Sequence, residues 1–236
     1  MSENSMVNLK IDGIQISVSE GTTILKAAKD NGILIPTLCD LEGLTPYGGC
    51  RLCLVEVTGS PKLFAACATQ ANSGMEVTTN SERLKSYRKM AVQMLMAERV
   101  HMCAVCVAND HCELQALANQ LGVSHVGFER NFTREPIDSS HDFLVIDRNR
   151  CILCTRCVRV CDKIEGVHTL DLKSRSKNTE VIMDLDESWG DSCSCTGCRK
   201  CAKVCPVGAI YIEGESITQT KHRDVAEFIT ERRKRK

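Results

Sequence analysis

Cysteine spacing is the chemical signal in this 236-residue chain, and its tightest pattern occurs twice. One copy runs Cys151, Cys154, Cys157, Cys161. The other runs Cys195, Cys198, Cys201, Cys205 and is followed by Pro206. Three thiolates so close together on a loop can take three irons of one [4Fe–4S] cube, while the fourth has moved on to the next segment and faces the other cube. The spacing thus assigns Cys151, Cys154, Cys157 and Cys205 to one cluster and Cys161, Cys195, Cys198 and Cys201 to a second. Zinc is the competing metal, but structural zinc draws its ligands as two separated pairs, which a triple at this spacing fits poorly. Cys193 is left without a role, although it could exchange with Cys195.

Two looser groups come earlier. Cys39, Cys50, Cys53 and Cys67 are separated by ten, two and thirteen residues, unlike the plant-type pattern with its four-residue first gap. The spacing resembles that of the [2Fe–2S] domain at the start of the complex I iron–sulfur subunit and its hydrogenase relatives, and that resemblance implies a [2Fe–2S] cluster there. Gly48 and Gly49 precede Cys50, and without side chains they let backbone N–H groups approach sulfur. Cys103, Cys106 and Cys112 are one ligand short of a third [4Fe–4S] cube. His101, two residues before Cys103, is the expected fourth ligand, and His111, beside Cys112, is its competitor. A neutral imidazole in place of a thiolate makes a cluster less negative and raises its potential.

The elements that must position these groups are legible in part. Val7, Leu9 and Ile11, then Asp12-Gly13, then Ile14, Ile16 and Val18 read as two strands joined by a two-residue turn. Thr22 or Thr23 caps a helix burying Ile24, Leu25, Ala27 and Ala28, with Gly32 at its end and Pro36 breaking the chain before Cys39. Residues 81–99 read as a helix with Leu84, Tyr87, Ala91, Met94 and Leu95 on its buried side, and Met90, Met94 and Met96 as adaptable packing. Another helix starts at Glu113. Residues 122–141, with Phe128, Phe132 and Pro136, read as irregular, and His125 and His141 as structural or exposed. Residues 143–147 and 209–212 are comparable strands, so the double-cysteine module is an internal repeat. Residues 162–194, with Trp189, interrupt it as a docking surface or a plain hairpin. Arg150, Arg156, Arg159, Arg199, Lys200 and Lys203 surround the cysteines, where they could favour the reduced state, attract an acidic partner or form a solvated face.

Composition fits small modules built round metal. Aromatic residues make up 4% of the chain, a thin supply for an ordinary core, and metal binding can substitute because its free energy becomes folding free energy. The fold class is α+β: an N-terminal β-grasp [2Fe–2S] ferredoxin domain (1–80), a small helical His/Cys3 [4Fe–4S] module (81–140), a C-terminal bacterial-type 2[4Fe–4S] ferredoxin domain (141–216) and a basic tail (217–236). The first residues lack the pattern of a secretory signal, and no apolar run approaches a membrane span. Thiol-rich chains of this kind belong in a reducing, cytoplasmic setting. Zero net charge counts against nucleic acid as a partner. No G-x-G-x-x-G or Walker loop is present, so no nucleotide site is read in this chain.

The order of motifs resembles the iron–sulfur subunit of complex I, the [FeFe] hydrogenases and, most of all, the diaphorase small subunit of NAD(P)-reducing [NiFe] hydrogenases. Ile35-Pro-Thr-Leu-Cys39, Cys103-Ala-Val-Cys106-Val-Ala-Asn109 and the run from Arg150 to Cys161 resemble that small subunit, and the likeness covers nearly the whole chain. Length favours the same branch, since the other two families continue into large further domains while this chain ends soon after Ile212. One position departs. In complex I and [FeFe] hydrogenases the histidine lies four residues before the first cysteine, where this chain has Arg99, which cannot ligate. The His101-x-Cys103 spacing looks like that of the [NiFe] branch. The resemblance implies one [2Fe–2S] and three [4Fe–4S] clusters relaying single electrons, with no catalytic residue in this chain. It implies a partner diaphorase subunit holding FMN and the NAD(P)H site, and [NiFe] hydrogenase small and large subunits beyond. An NAD-dependent formate dehydrogenase or an electron-bifurcating hydrogenase is the alternative within redox chemistry. A zinc-stabilised scaffold or nucleic-acid module is the alternative of another class.

Overall fold

The computed structural model describes residues 5–130 and 134–217 and divides into two units, residues 1–40 with 46–92 and residues 41–45 with 93–236. Phe132 and the basic tail beyond Ile217 lie outside the described residues.

In the first unit, alternating apolar residues build β1 (Met6–Ile11) and β2 (Ile14–Ser19), paired antiparallel with Ile11 opposite Ile14. Asp12 and Gly13 both have positive φ, +48° and +83°, as this two-residue turn requires. The Asp12 carboxylate ties the turn down by accepting from Thr79 N (2.8 Å). β3 (Leu54–Val57), β4 (Leu63–Ala65) and β5 (Glu76–Thr78) complete a five-stranded sheet of order β2-β1-β5-β3-β4, in which β1 and β5 run parallel. Helix α1 (Ile24–Asp30) buries Ile24, Leu25, Ala27 and Ala28 against the sheet's core, which also contains Cys53 and Cys67. Thr23 is the cap, its hydroxyl accepting from Lys26 N (3.2 Å). Thr23→Ala is expected to cost about 1 kcal/mol, read as faster amide exchange across α1.

Helix α2 spans Glu82–Ala97, but its buried stripe is not the one expected. Leu84, Arg88 and Val92 are buried, while Tyr87, Met90 and Met94 are exposed. The helix is turned because Arg88 faces inward. Its Nε and Nη2 donate to the Leu52 and Leu54 carbonyls (3.0 and 2.9 Å), which anchors the segment carrying Cys53. A buried guanidinium with carbonyl acceptors displaces an apolar residue from that face, a choice that periodicity does not reveal. Of the methionines expected as adaptable packing, Met90 and Met94 are exposed and Met96 is half-buried.

The second unit contains α3 (Glu113–Gln120), the antiparallel pair β6 (Leu144–Ile146) and β9 (Ile210–Ile212), and two short helices, α4 (Arg156–Arg159) and α5 (Lys200–Val204). The repeat is visible in the backbone. Leu153 and Thr155 have φ of +53° and +58°; their counterparts Gly197 and Arg199 have +60° and +63°. Left-handed backbone is uncommon outside glycine, so its recurrence at both loops marks a common turn. Val160 and its counterpart Val204 meet in one apolar cluster with Ile164 and Leu44. The insertion is a hairpin of β7 (Leu170–Lys173) and β8 (Glu180–Met183), and Trp189 beyond it is buried at 1% exposure. Arg99 donates to Thr179 O (2.8 Å) in this hairpin.

The basic residues round the cysteines are only partly a solvated face: Arg199 is exposed, Arg150 and Lys203 are half-buried, and the other three are not at the surface. Arg156, Arg159 and Lys200 are buried. Arg156 makes a two-pronged bond to Glu113 (2.8 and 3.1 Å), and Lys200 pairs with Glu165 (2.5 Å). These positions are equivalent in the repeat, and each copy has recruited a glutamate from elsewhere in the chain.

Candidate metal centres

All sixteen cysteines are free thiols, and fifteen of them gather in four places. In the first unit Cys39, Cys50, Cys53 and Cys67 are all buried. Cys53 Sγ lies 3.4 Å from Cys67 Sγ, and Leu38 N donates to Cys50 Sγ at 3.5 Å. The Cys39 sulfur is held down to a pKa of about 2, first by hydrogen bonds from the Cys50 and Cys67 thiols, with the backbone N–H groups of Cys50 and Gly49 adding to them. Hydrogen bonding to the Cys39 sulfur, and then burial, pushes Cys50 and Cys67 up, with Cys53 adding to the effect on Cys67. Gly48, at φ +70°, turns the loop so that its amides face inward.

In the second unit Cys103, Cys106 and Cys112 line one cavity together with His101, Arg150 and Gly208. His111 does not line it. A short 3-10 turn, Cys103–Val105, and the bond from Ala108 N to Cys106 Sγ (3.5 Å) shape this loop. His101 Nε2 lies 3.2 Å from Leu95 O. A carbonyl only accepts, so the ring proton sits on Nε2 and Nδ1 keeps its lone pair. Burial pushes the His101 pKa down to about 4, which keeps the ring neutral as a ligand must be. Gly208 makes room: a Cβ there would stand 2.8 Å from Cys106 Sγ. The Glu113 N–H, next to Cys112, donates to the carbonyl of Pro206, next to Cys205 (2.9 Å).

The repeat brings Cys151, Cys154 and Cys157 together with Cys205, and Cys161 together with Cys195, Cys198 and Cys201. Burial pushes Cys151 to about 11 and Cys154 to about 12, with Cys205 adding to both, and drives Cys157 up further. Burial likewise raises Cys201, with Cys198, Cys161 and Cys195 contributing. Leu153 N donates to Cys151 Sγ (3.4 Å). Cys161, Cys195, Cys198 and Cys201 line a second cavity with Trp189 and Lys200. The empty space in the two cavities is similar, ≈ 310 and ≈ 330 Å³. Cys193 is exposed.

These residues fit an iron–sulfur core. Thiols raised by burial become thiolates only when a cation joins them. Among the described residues three buried side-chain donors lack a partner: Arg150 Nη1, Arg156 Nε and Trp189 Nε1. Arg150 and Trp189 line the two cavities, and Arg156 lies between Cys154 and Cys157. Buried polar groups are nearly always hydrogen-bonded, so orphaned donors at three thiol groups suit anionic sulfur. Among the described residues no three His, Cys, Asp or Glu side chains converge on one ion position. In a [4Fe–4S] cube each ligand takes a different iron and in a [2Fe–2S] core only two share one, so the ligands stand further apart than round a single ion. Sequence reasoning missed Arg88, Glu113 and Glu165, whose partners lie far away along the chain, and the placement of His141 beside Cys195, 54 positions on.

The fold and these centres define a modular iron–sulfur protein. Residues 4–82 match the 2Fe-2S iron-sulfur cluster binding domain, residues 88–127 the NADH-ubiquinone oxidoreductase-G iron-sulfur binding region, and residues 142–211 the ferredoxin-like domain of NADH-quinone oxidoreductase subunit 3. The chain is 31% identical to the NAD-reducing hydrogenase HoxS subunit gamma of Cupriavidus necator, with 86% of each covered. It belongs to the family of that gamma subunit. A crystal structure of NAD+-reducing [NiFe]-hydrogenase in the H2-reduced state contains a chain that superposes with a TM-score of 0.83 at 35% identity, covering 90% of this chain and 89% of the other. Similarity extends to longer proteins: the NADPH-Fe(3+) oxidoreductase subunit alpha of Geobacter sulfurreducens is 37% identical over 87% of this chain, which spans 24% of that relative. No helix of the described residues is long and apolar enough to cross a membrane.

Proposed function

We propose that this chain relays single electrons within an NAD(P)-linked hydrogenase, between a diaphorase subunit that binds FMN and NAD(P)H and the [NiFe] hydrogenase small and large subunits. The likeness along nearly the full length of a hydrogenase gamma subunit carries this reading. Cys39, Cys50, Cys53 and Cys67 hold one [2Fe–2S] cluster. Three [4Fe–4S] clusters are held by His101, Cys103, Cys106 and Cys112; by Cys151, Cys154, Cys157 and Cys205; and by Cys161, Cys195, Cys198 and Cys201. When bound, such clusters supply one-electron exchange at potentials set by charge, hydrogen bonds and exposure. The chain's own residues provide the rest. Buried thiols exclude water, Arg88 fixes the Cys53 segment, and the Glu113–Arg156 pair locks the Cys112 loop to the Cys154–Cys157 loop. With its cysteines reduced, the complex works in the cytoplasm.

Co-purification from the native host with subunit identification, followed by a hydrogen-driven NAD(P)+ reduction assay, tests this. The expected result is a hydrogenase pair, a flavin subunit and about 14 irons per chain of this protein. Formate driving the assay in place of hydrogen would move the complex to a formate dehydrogenase. A colourless protein with zinc and no acid-labile sulfide would end the iron–sulfur reading altogether.

A further inference from the structure

We propose that His141 and Trp189 set the reduction potential of the cluster held by Cys161, Cys195, Cys198 and Cys201, by presenting two N–H donors to its sulfur. This rests on the cluster assignment above. His141 Nδ1 accepts from the backbone N–H groups of Phe143 and Leu144, both at 3.3 Å. An imidazole nitrogen that accepts carries no proton, so the ring's proton is on Nε2. That nitrogen lies 3.9 Å from Cys195 Sγ. The ring is held in place by edge contacts to Phe143 (centroids 4.6 Å apart) and Trp189 (5.7 Å).

Trp189 lines the same cavity as the four cysteines. Its backbone N–H donates to the Asp138 carboxylate (2.9 Å), which fixes its position. Its indole Nε1 is buried and has no partner among the described residues. Indole nitrogen can only donate, and a buried donor without an acceptor is costly. Cluster sulfur would supply the acceptor. Two cations also line the cavity, but Lys200 is paired with Glu165 and Arg199 with Glu215 (3.0 Å). Their positive charge is offset on the spot. The neutral donors carry no such offset, so they are the residues whose dipoles favour the reduced, more negative state and raise the potential.

Two substitutions separate this role from a structural one. His141→Asn keeps an oxygen where Nδ1 caps the Phe143 and Leu144 amides and withdraws the N–H from Cys195. Trp189→Phe keeps an aromatic ring and removes its only donor. The assay is an EPR-monitored redox titration of the full chain, with Cys201→Ser identifying which [4Fe–4S] signal belongs to this site. Each variant is expected to lower the midpoint of that one signal, the double variant to lower it further, and the other signals to stay in place. In wild-type protein carrying 15N-histidine, that signal is expected to show a weak 15N coupling, lost in His141→Asn. Unchanged midpoints in both variants at full iron content would overturn the proposal. If Cys201→Ser leaves every signal unchanged in shape and midpoint, the cluster assignment falls, and this inference with it.

Discussion

Replacing His101 by alanine is expected to strip one [4Fe–4S] cluster, about four irons, from the protein and leave the other three clusters in place. With only Cys103, Cys106 and Cys112 the fourth iron would have no protein ligand, and His101 is the imidazole that lines their cavity. Its Nε2 proton is committed to Leu95 O, the arrangement that fixes ring orientation in metal-ligating histidines. Hydrogen-driven NAD(P)+ reduction by the proposed complex should fall if this centre lies on the relay. His101→Cys should retain the cluster and lower its potential by adding a negative ligand. His111→Ala should leave iron content and spectrum intact. Iron and sulfide analysis with EPR of the three variants decides: loss of the signal in His111→Ala but not in His101→Ala transfers the ligand to His111.

The second large effect is on stability. Lys200→Met is expected to destabilise the second unit by about 3–5 kcal/mol, because it leaves the buried Glu165 carboxylate without its counter-charge. Lys200 is fully buried, and Glu165 accepts from Lys200 Nζ and from Thr196 Oγ1 (3.0 Å). The same reasoning predicts recovery. A Lys200→Met/Glu165→Leu double variant should regain most of the loss, since a buried pair is often replaceable by apolar residues at little net cost. Denaturant unfolding followed by bleaching of the cluster absorbance gives the comparison. A single variant as stable as wild type would show that Glu165 finds another partner once Lys200 is gone.

Much of this protein was legible before any coordinates. Cysteine spacing within each loop, the hairpin at Asp12-Gly13 and a threonine cap at position 22 or 23 are local properties, fixed by residues a few positions apart, and the internal repeat is the same local pattern written twice. Loop chemistry at that range follows from reach and backbone freedom alone, which is why the two repeat loops share their left-handed turns. The helix at 82–97 shows the limit: its existence followed from the periodicity of its apolar residues, but its rotation was decided by Arg88 finding carbonyls 34 and 36 positions away.

The amino-acid order by itself determined how many metal centres to expect and which thiols could share one. Only the tertiary structure decided what surrounds the sulfur. It placed His141 beside Cys195, left the Trp189 indole facing a cavity, and matched Arg156 and Lys200 with glutamates 43 and 35 positions distant. Such partners are selected by packing and desolvation, because a buried charge or donor must find its complement wherever the chain happens to bring one.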